Sequence, residues 1–249
     1  MVKKRKKVRG RSRYLIYWFL GLVILYFFFN KIVSISHNMK FFNVTKIDII
    51  GSRYLSQDFL KSVSQSYLGK NIFDVSTREI ETLYNNVIRV KSVKCRKILP
   101  SGLRITITER VGVFFIRNTK GEFYPIDIDK MVLDKADSYL KEDLPFVNLS
   151  ISDEVLVPGN IVENQFLDYV FVVYNELLKS QASVISDISE FYFRNNILHF
   201  VDIESGSRVM IGTEDIPSQI KRFLFLRQNQ GFEKQSFVDL RFTNQIIVR

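Results

Sequence analysis

Cysteine, histidine, proline and glycine are all scarce in this chain of 249 residues, which has one, two, 5 and 11 of them respectively. The single cysteine, Cys95, excludes an intramolecular disulfide and any zinc site built from paired cysteines, so the fold must depend on packing. The low glycine and proline content, beside 46% hydrophobic residues, excludes a collagen-like or low-complexity chain. The chain therefore has enough apolar residues for one or two globular cores.

The net positive charge is also small outside one short segment. The formal net charge is +10, but residues 1–13 contain eight basic side chains and no acidic one. The remaining 236 residues carry 28 basic and 26 acidic side chains, a net charge of only +2. Nucleic-acid binding requires positive charge along a face of the folded domain. This distribution therefore argues against nucleic acid as a partner.

The basic tail is followed directly by an uncharged, mostly apolar run at residues 14–29, YLIYWFLGLVILYFFF. A helix continued to about residue 33 would be roughly 30 Å long, the thickness of the bilayer hydrocarbon. We predict a single-pass anchor at residues 14–35, with the N-terminus in the cytoplasm and the bulk of the chain outside it. The alternatives are a cleaved signal peptide, although NKIVSISHNM is a poor cleavage site, and nuclear targeting by KKRKK.

Residues 42–110 have the pattern of one compact unit with the order strand, helix, helix, strand, strand. The first strand ends at Gly51, and the two helices have N-cap serines at Ser56 and Ser76, the second followed by a glutamate three residues later. The Leu-Pro-Ser-Gly sequence at residues 99–102 predicts a tight turn, so the last two strands form a hairpin.

Residues 111–249 predict a mostly antiparallel sheet with helices packed on one face, which makes the whole chain α+β. The last predicted strand is Phe237–Phe242, in which Val238, Leu240 and Phe242 share one face and Phe237, Asp239 and Arg241 share the other. We expect this strand at a sheet edge, where unpaired backbone groups can accept a partner strand. The other predicted strands cover residues 113–116, 123–133, 188–194, 197–203 and 208–211, and the predicted helices cover residues 163–179 and 217–228.

The sequence predicts no catalytic residue, no metal site, no cofactor and no small-molecule substrate. His199 lies in the strand-like NILHFVDI without a G-x-S-x-G motif, so we interpret it as structural. Cys95 is predicted to be a small buried apolar residue. Asp127, Asp129 and Asp134 are close in sequence but lack the glycine and glutamate of an EF-hand, so they predict a solvated turn. The phosphate-binding motifs GxxxxGK and GxGxxG are absent.

Several motifs resemble one bacterial family. FNVTKIDIIG, GKNIFDV and KILPSGLRITITER resemble a POTRA domain, and the last is similar to the end of that domain in the division proteins FtsQ and DivIB. FYPIDIDKMVL, LPFVNL and SFVDLRFTNQIIVR resemble later parts of the same family, although the family usually has glycine at the position of Lys130. The resemblance divides the chain into a cytoplasmic tail at 1–13, a transmembrane helix at 14–35, a POTRA domain at 42–110 and a distal β domain at 111–249.

The resemblance implies a bitopic scaffold of the divisome in the bacterial cytoplasmic membrane at the division septum, without catalytic activity. Its implied role is to link early division proteins to septal peptidoglycan synthesis. The implied partners are FtsB-like and FtsL-like proteins, and septal wall synthases that bind the POTRA domain; that domain could otherwise be a rigid spacer. The implied partner-binding residues are those of the last strand: Phe237, Val238, Asp239, Leu240, Arg241 and Phe242.

Two side chains of the last predicted strand have chemistry that suits partner binding. Arg241 could pair with a partner carboxylate and Phe242 could anchor in a partner pocket, although alternation points them in opposite directions. They could equally be a solvated charge and a core residue.

For the whole chain, one alternative is a POTRA-type module that binds exported polypeptides. The other is a membrane-anchored periplasmic enzyme, in which His199 would be essential.

Overall fold

The computed structural model describes residues 11–134, 143–229, 236–243 and 245–249. The chain folds into two compact units. The first unit contains the residues up to Asn86 together with Ser92–Thr108, and the second contains Val87–Lys91 and Glu109–Arg249.

The first unit begins with a long helix, α1 (Arg11–Asn38), followed by a short 3₁₀ turn at Lys40–Phe42. The large apolar side chains described in α1, including Trp18 and Phe29, are exposed. In the part of the chain that the structure describes, no helix is both long enough and apolar enough to cross a membrane.

Five further elements of the first unit follow the predicted order of strand, helix, helix, strand, strand. The sheet has the strand order β1-β3-β2, with β1 parallel to β3. A tight turn joins β2 to β3, as expected of a hairpin. The elements are β1 (Lys46–Ile50), α2 (Gln57–Gln65), α3 (Thr77–Asn85), β2 (Val90–Ile98) and β3 (Gly102–Glu109).

Both predicted helix caps of the first unit are confirmed. The Ser56 hydroxyl accepts a hydrogen bond from Phe59 N at 3.2 Å, and the Ser76 hydroxyl accepts one from Glu79 N at 3.3 Å. Cys95 is buried as predicted, and burial raises the pKa of its thiol to about 11. A thiol with so high a pKa stays protonated at neutral pH, as expected of a packing residue.

Gly51 ends β1 where no other residue fits. Its φ is +88°, and a Cβ atom there would lie 2.1 Å from the carbonyl oxygen of Ile107. That oxygen belongs to the backbone of β3, the central strand of the sheet, so it has no freedom to move away. A side chain at this position would therefore be blocked both by the backbone conformation and by the neighbouring strand.

The second unit contains one sheet of eight strands in the order β11-β10-β9-β8-β7-β6-β4-β5. The strands and helices are β4 (Gly112–Arg117), β5 (Phe123–Asp127), β6 (Phe146–Asn148), α4 (Gln165–Gln181), β7 (Ile188–Arg194), β8 (Ile197–Asp202), β9 (Arg208–Ile211), α5 (Ile216–Gln228), β10 (Phe237–Asp239) and β11 (Ile247–Val248), with a 3₁₀ helix at Ala182–Asp187.

This sheet is mixed, and the predicted antiparallel pairing holds for only four of its seven neighbouring pairs. Four neighbouring pairs are antiparallel, whereas β4/β6, β6/β7 and β9/β10 are parallel. The chain runs through α4 between β6 and β7, and through α5 between β9 and β10. A crossover helix returns the chain to the starting end of the sheet, which makes the strands before and after it parallel.

The core of the second unit lies between the sheet and the helices α4 and α5, which confirms the expected α+β class. Phe114 at the centre of β4 packs edge-to-face on Tyr174 of α4, with 4.9 Å between ring centroids. Phe200 of β8 packs in the same way on Phe223 of α5 at 5.0 Å. These buried aromatic side chains contribute much of the apolar surface that holds the helices on the sheet.

The strand predicted at residues 123–133 ends early, at Asp127. The prediction that Asp127 lies in a solvated turn is wrong, because its side chain is buried. Asp127 is 2% exposed, and its Oδ1 accepts hydrogen bonds from the backbone N–H groups of Asp129 and Met131, each at 2.9 Å. Its Oδ2 lies 2.5 Å from Nη1 of Arg110. Among the described residues, no group of three or more acidic, histidine or cysteine side chains could hold a metal ion.

Candidate partner-binding site

The β5 edge of the eight-stranded sheet is closed. Pro125 has no N–H to offer, and its carbonyl oxygen accepts a hydrogen bond from Leu133 N at 2.8 Å. Asp127 N donates to Met131 O at 3.0 Å, and an antiparallel bridge joins Ile126 to Val132. The chain after β5 thus folds back along the outer side of β5 and occupies its backbone groups.

The opposite end of the sheet differs from the prediction, because β10 is not the edge strand. It pairs in parallel with β9, where Val238 lies opposite Val209, and it pairs on its other side with β11. Val238 and Leu240 are fully buried in the core. These two predicted partner-binding residues are therefore core residues, whereas Phe237 is partly exposed on the other face of the sheet.

The last predicted strand ends at Asp239 because Arg241 folds back onto it. Nε and Nη2 of Arg241 lie 3.0 and 2.8 Å from the two carboxylate oxygens of Asp239, and Arg241 N also donates to Oδ1. The Arg241 stem packs over Gly212, where a Cβ would lie 3.1 Å from its Cγ. The guanidinium is thus occupied within the chain. Burial alone would raise the pKa of Asp239, but these bonds from Arg241 lower it below its ordinary value.

Phe242 lies on a bend beyond the strand and is 40% exposed. Arg222 of α5 holds this bend, with Nη2 donating to Leu240 O at 2.6 Å and Nη1 donating to Thr243 O at 2.9 Å. The predicted shared face of Val238, Leu240 and Phe242 is wrong, because alternation ceases where the strand ends. Phe242 is consequently open to a partner, unlike the two buried residues.

The edge at this end is the two-residue strand β11, which the sequence prediction missed. Phe237 N donates to Arg249 O at 2.7 Å and Arg249 N donates to Phe237 O at 3.0 Å. In an antiparallel ladder the next residue, Val248, then directs its N–H and C=O away from β10. Within the described residues, β11 has a neighbouring strand on one side only. The polar segment between the apolar runs FVDL and IIV was the sequence signal for a second strand.

His199 lies on the sheet face opposite the helices, in β8, the fourth strand from this edge. Its ring stacks on Tyr192 at 5.0 Å between centroids, with Phe237 6.0 Å away. Burial, and then the charges of Arg194 and Arg241, lower its pKa. Within the described part of the chain, no carboxylate forms an ion pair with His199. This environment agrees with the interpretation of His199 as a packing residue.

Comparison with known proteins gives matches over both units. Residues 42–110 match the family model described as POTRA domain, FtsQ-type. A cell division protein DivIB from Clostridium botulinum is 28% identical over 219 residues, covering 85% of this chain and 80% of the relative. A DivIB from Bacillus cytotoxicus is 24% identical over 246 residues, covering 96% of this chain and 87% of the relative. A cell division protein FtsQ from Syntrophotalea carbinolica is 21% identical, covering 84% of this chain and 74% of the relative.

The chain is thus similar to cell division proteins of the FtsQ/DivIB type over most of its length. The match to the FtsQ-type POTRA domain spans the five elements from β1 to β3, and the relatives that match the longer stretch are named as cell division proteins. The FtsQ/DivIB relatives are similar across the eight-stranded sheet as well, because each match covers more than four fifths of this chain.

Proposed function

We propose that this chain is a member of the FtsQ/DivIB family and a membrane-anchored scaffold of the bacterial divisome that links early division proteins to septal peptidoglycan synthesis. It acts by binding rather than by catalysis. Its partners are FtsB-like and FtsL-like single-pass proteins, which bind at the distal sheet, and septal wall synthases, which bind the POTRA domain. The observation that carries the proposal is the open β11 edge beside the exposed Phe242.

We place the anchor in α1 on the evidence of the sequence. Residues 14–29 contain no charged side chain, and the basic residues that precede them fix the N-terminus in the cytoplasm. The exposed aromatic and aliphatic side chains of α1 suit a lipid environment better than water. Anchoring restricts the protein to the membrane plane at the septum, which raises its effective concentration toward partners held in the same plane.

The partner strand is proposed to add to β11. The outward N–H and C=O of Val248 can pair with an extended segment, which then continues the sheet as a further strand. Phe242 offers an exposed ring next to this edge, where it can insert into an apolar pocket of the partner. The pairing of Arg241 with Asp239 makes Arg241 a support for the bend rather than a ligand for a partner carboxylate.

In-cell photocrosslinking tests this arrangement. A photoreactive amino acid is placed at Phe242, and mass spectrometry identifies the captured protein. We expect capture of small single-pass coiled-coil division proteins. Phe123 is the matched control, because it is also a phenylalanine, is 37% exposed and lies on β5 at the closed edge. Equal capture from both positions, or capture of diverse unfolded exported chains from Phe242, would contradict the proposal.

Val248→Pro tests strand addition itself. The substitution removes the outward N–H of Val248 and leaves the Phe237–Arg249 hydrogen bonds in place. We expect affinity for the FtsB-like and FtsL-like partners to fall about tenfold or more, since a lost hydrogen bond and the proline ring both oppose pairing. Val248→Thr keeps the N–H and should bind nearly as well as the native protein in pull-downs with the full chain. Unchanged affinity in Val248→Pro would exclude β11 as the binding strand.

A further inference from the structure

The POTRA sheet has a second face that the helices do not cover. On β3 the side chains of Leu103, Ile105 and Ile107 are buried toward α2 and α3, so Arg104 and the two threonines after it lie on the opposite, exposed face. The register places Asp48 of β1 opposite Arg104. On β2, Cys95 is buried, so its neighbours Lys94 and Arg96 alternate onto the exposed face.

This exposed face is strongly basic. It carries Lys46, Lys94, Arg96 and Arg104, and its only acidic residue among those described is Asp48. Asp48 is shared between two cations, with Lys46 Nζ at 2.9 Å and Arg104 Nη2 at 3.9 Å. The face therefore has a net charge of +3, which follows from four basic side chains and one acidic one. The residues beyond the basic tail total only +2, so positive charge is concentrated on this face.

One end of the basic face carries exposed apolar side chains. In the turn from β2 to β3, Ile98 is 43% exposed and Leu99 is 61% exposed. Both side chains expose apolar surface to water, and transfer of that surface out of water is favourable. Apolar side chains next to basic ones form the pattern by which protein surfaces enter the interfacial layer of a bilayer.

The same turn lies beside the point where the chain arrives from α1. Thr45 N donates to Ser101 O at 2.9 Å, and the Thr45 and Ser101 hydroxyls are 3.0 Å apart. Helix α1 ends at Asn38. The seven residues from there to Thr45 reach at most about 25 Å when fully extended. The turn is thus tethered close to the end of α1, and Phe41 on the connecting segment is exposed as well.

We propose that the basic face of the POTRA sheet and its Ile98–Leu99 turn bind the anionic phospholipid surface of the membrane in which α1 lies. This inference depends on the proposed anchoring by α1. Leu99 enters the interfacial layer, and the guanidinium groups of Arg96 and Arg104 bind lipid phosphates, for which their paired donors are suited. Since electrostatic attraction in solution extends only about 8 Å, the face binds when the turn rests on the membrane, and the tether of at most about 25 Å permits that approach.

The test uses the full chain in vesicles. Cys95→Ala removes the buried thiol, and Leu99→Cys then accepts a nitroxide spin label whose depth is measured from its accessibility to oxygen and to a nickel chelate. The vesicles contain either phosphatidylcholine alone or equal parts of phosphatidylcholine and phosphatidylglycerol. We expect the oxygen-to-nickel accessibility ratio to rise about threefold with the anionic lipid, because each basic side chain near such a surface adds attraction.

Two charge variants decide whether the face is responsible. Arg96→Glu with Arg104→Glu should abolish the response of the label. Lys61→Glu with Arg78→Glu makes the same change of net charge on exposed residues of α2 and α3, and it should leave the response intact. High salt should reverse the response of the unmodified face, which gives a second measurement that does not depend on how the variants fold.

The outcomes separate this inference from the anchoring on which it depends. Vesicle flotation after an alkaline wash reports on α1 alone, and loss of flotation would refute the anchor. A protein that floats but whose label at Leu99 is equally water-accessible in both lipids would overturn the inference. In that case the ligand of the basic face is an acidic protein partner or an anionic wall polymer rather than the membrane.

Discussion

The two ends of the eight-stranded sheet solve the problem of an exposed strand edge in opposite ways. At the β5 end, Pro125 removes a donor, and residues 131–133 fold back to pair with the outer side of the strand. At the β11 end, a strand of only two residues covers β10, and its own outer side has no neighbour among the described strands. The same sheet therefore excludes a partner at one edge and permits it at the other.

In the proposed function, the open edge binds the partner strand, whereas the closed edge only completes the fold. Free sheet edges promote unwanted pairing, so proteins usually block them, and an edge left open suits strand addition. The closed end depends on a buried carboxylate, Asp127, and its ion pair with Arg110. The open end depends on the bonds from Arg222 to the bend and on the Asp239–Arg241 pair.

Removal of Asp127 should have the largest effect, because it breaks the closed end. Asp127→Ala leaves the Arg110 guanidinium and two backbone N–H groups without their acceptor, and we expect the unfolding free energy to fall by about 3 kcal/mol. Urea denaturation of the full chain, with hydrogen exchange followed in β4 and β5, measures this. Asp129→Ala is the control: that carboxylate is 46% exposed and also contacts Arg110, and its loss should cost less than about 1 kcal/mol. Equal costs would refute the assigned role of Asp127.

Loss of Arg222 should loosen the open end by a smaller amount. Arg222→Ala removes the two donors that hold the carbonyl groups of Leu240 and Thr243, so we expect about 1 to 2 kcal/mol of local stability to be lost. Hydrogen exchange in β10 and β11 should increase, while β4 and β5 stay protected. Arg222→Lys retains a charge but not both contacts, and should be intermediate. Faster exchange at both ends would show that the two edges are not independent.

Acid should weaken the open end through Asp239. The pKa of Asp239 is lowered in the folded protein, so its stabilising effect is complete above its ordinary pKa of about 3.9 and disappears as the pH falls through the folded value. Asp239→Asn should therefore cost about 1 kcal/mol at neutral pH and nothing in strong acid. Arg241→Ala should give the same pH profile, and the double variant should lose no more than either alone. An additive loss would mean that the two side chains act separately.

Local chemistry made much of the fold predictable. The serine caps, the turn at residues 99–102 and the bounds of β7 and β9 depend on residues adjacent in sequence, and the structure confirms them. The buried position of Cys95 followed from alternation within its strand. The assignment of residues 42–110 to a POTRA domain depended on several motifs in one unit, and the family match agrees with it.

The features that define the candidate site depend on contacts between distant residues. Strand β10 ends at Asp239 because Arg241 folds back over Gly212, which lies 29 residues earlier in the chain. Strand β6 has three residues, of which only Val147 is buried, so it has too little pattern to be seen. Strand direction follows from the crossover helices. The family resemblance therefore implied a partner-binding role for Val238 and Leu240, which the structure places in the core.

The close approach at Gly51 has a consequence for the genetics of the protein. Every missense change of a glycine codon adds a Cβ, and here that atom would meet the backbone oxygen of Ile107. The codon therefore tolerates no amino-acid replacement without damage to the POTRA sheet, whatever the chemistry of the new side chain. Missense alleles at this codon should therefore have a folding defect in the first unit, with the sequence of β11 unchanged.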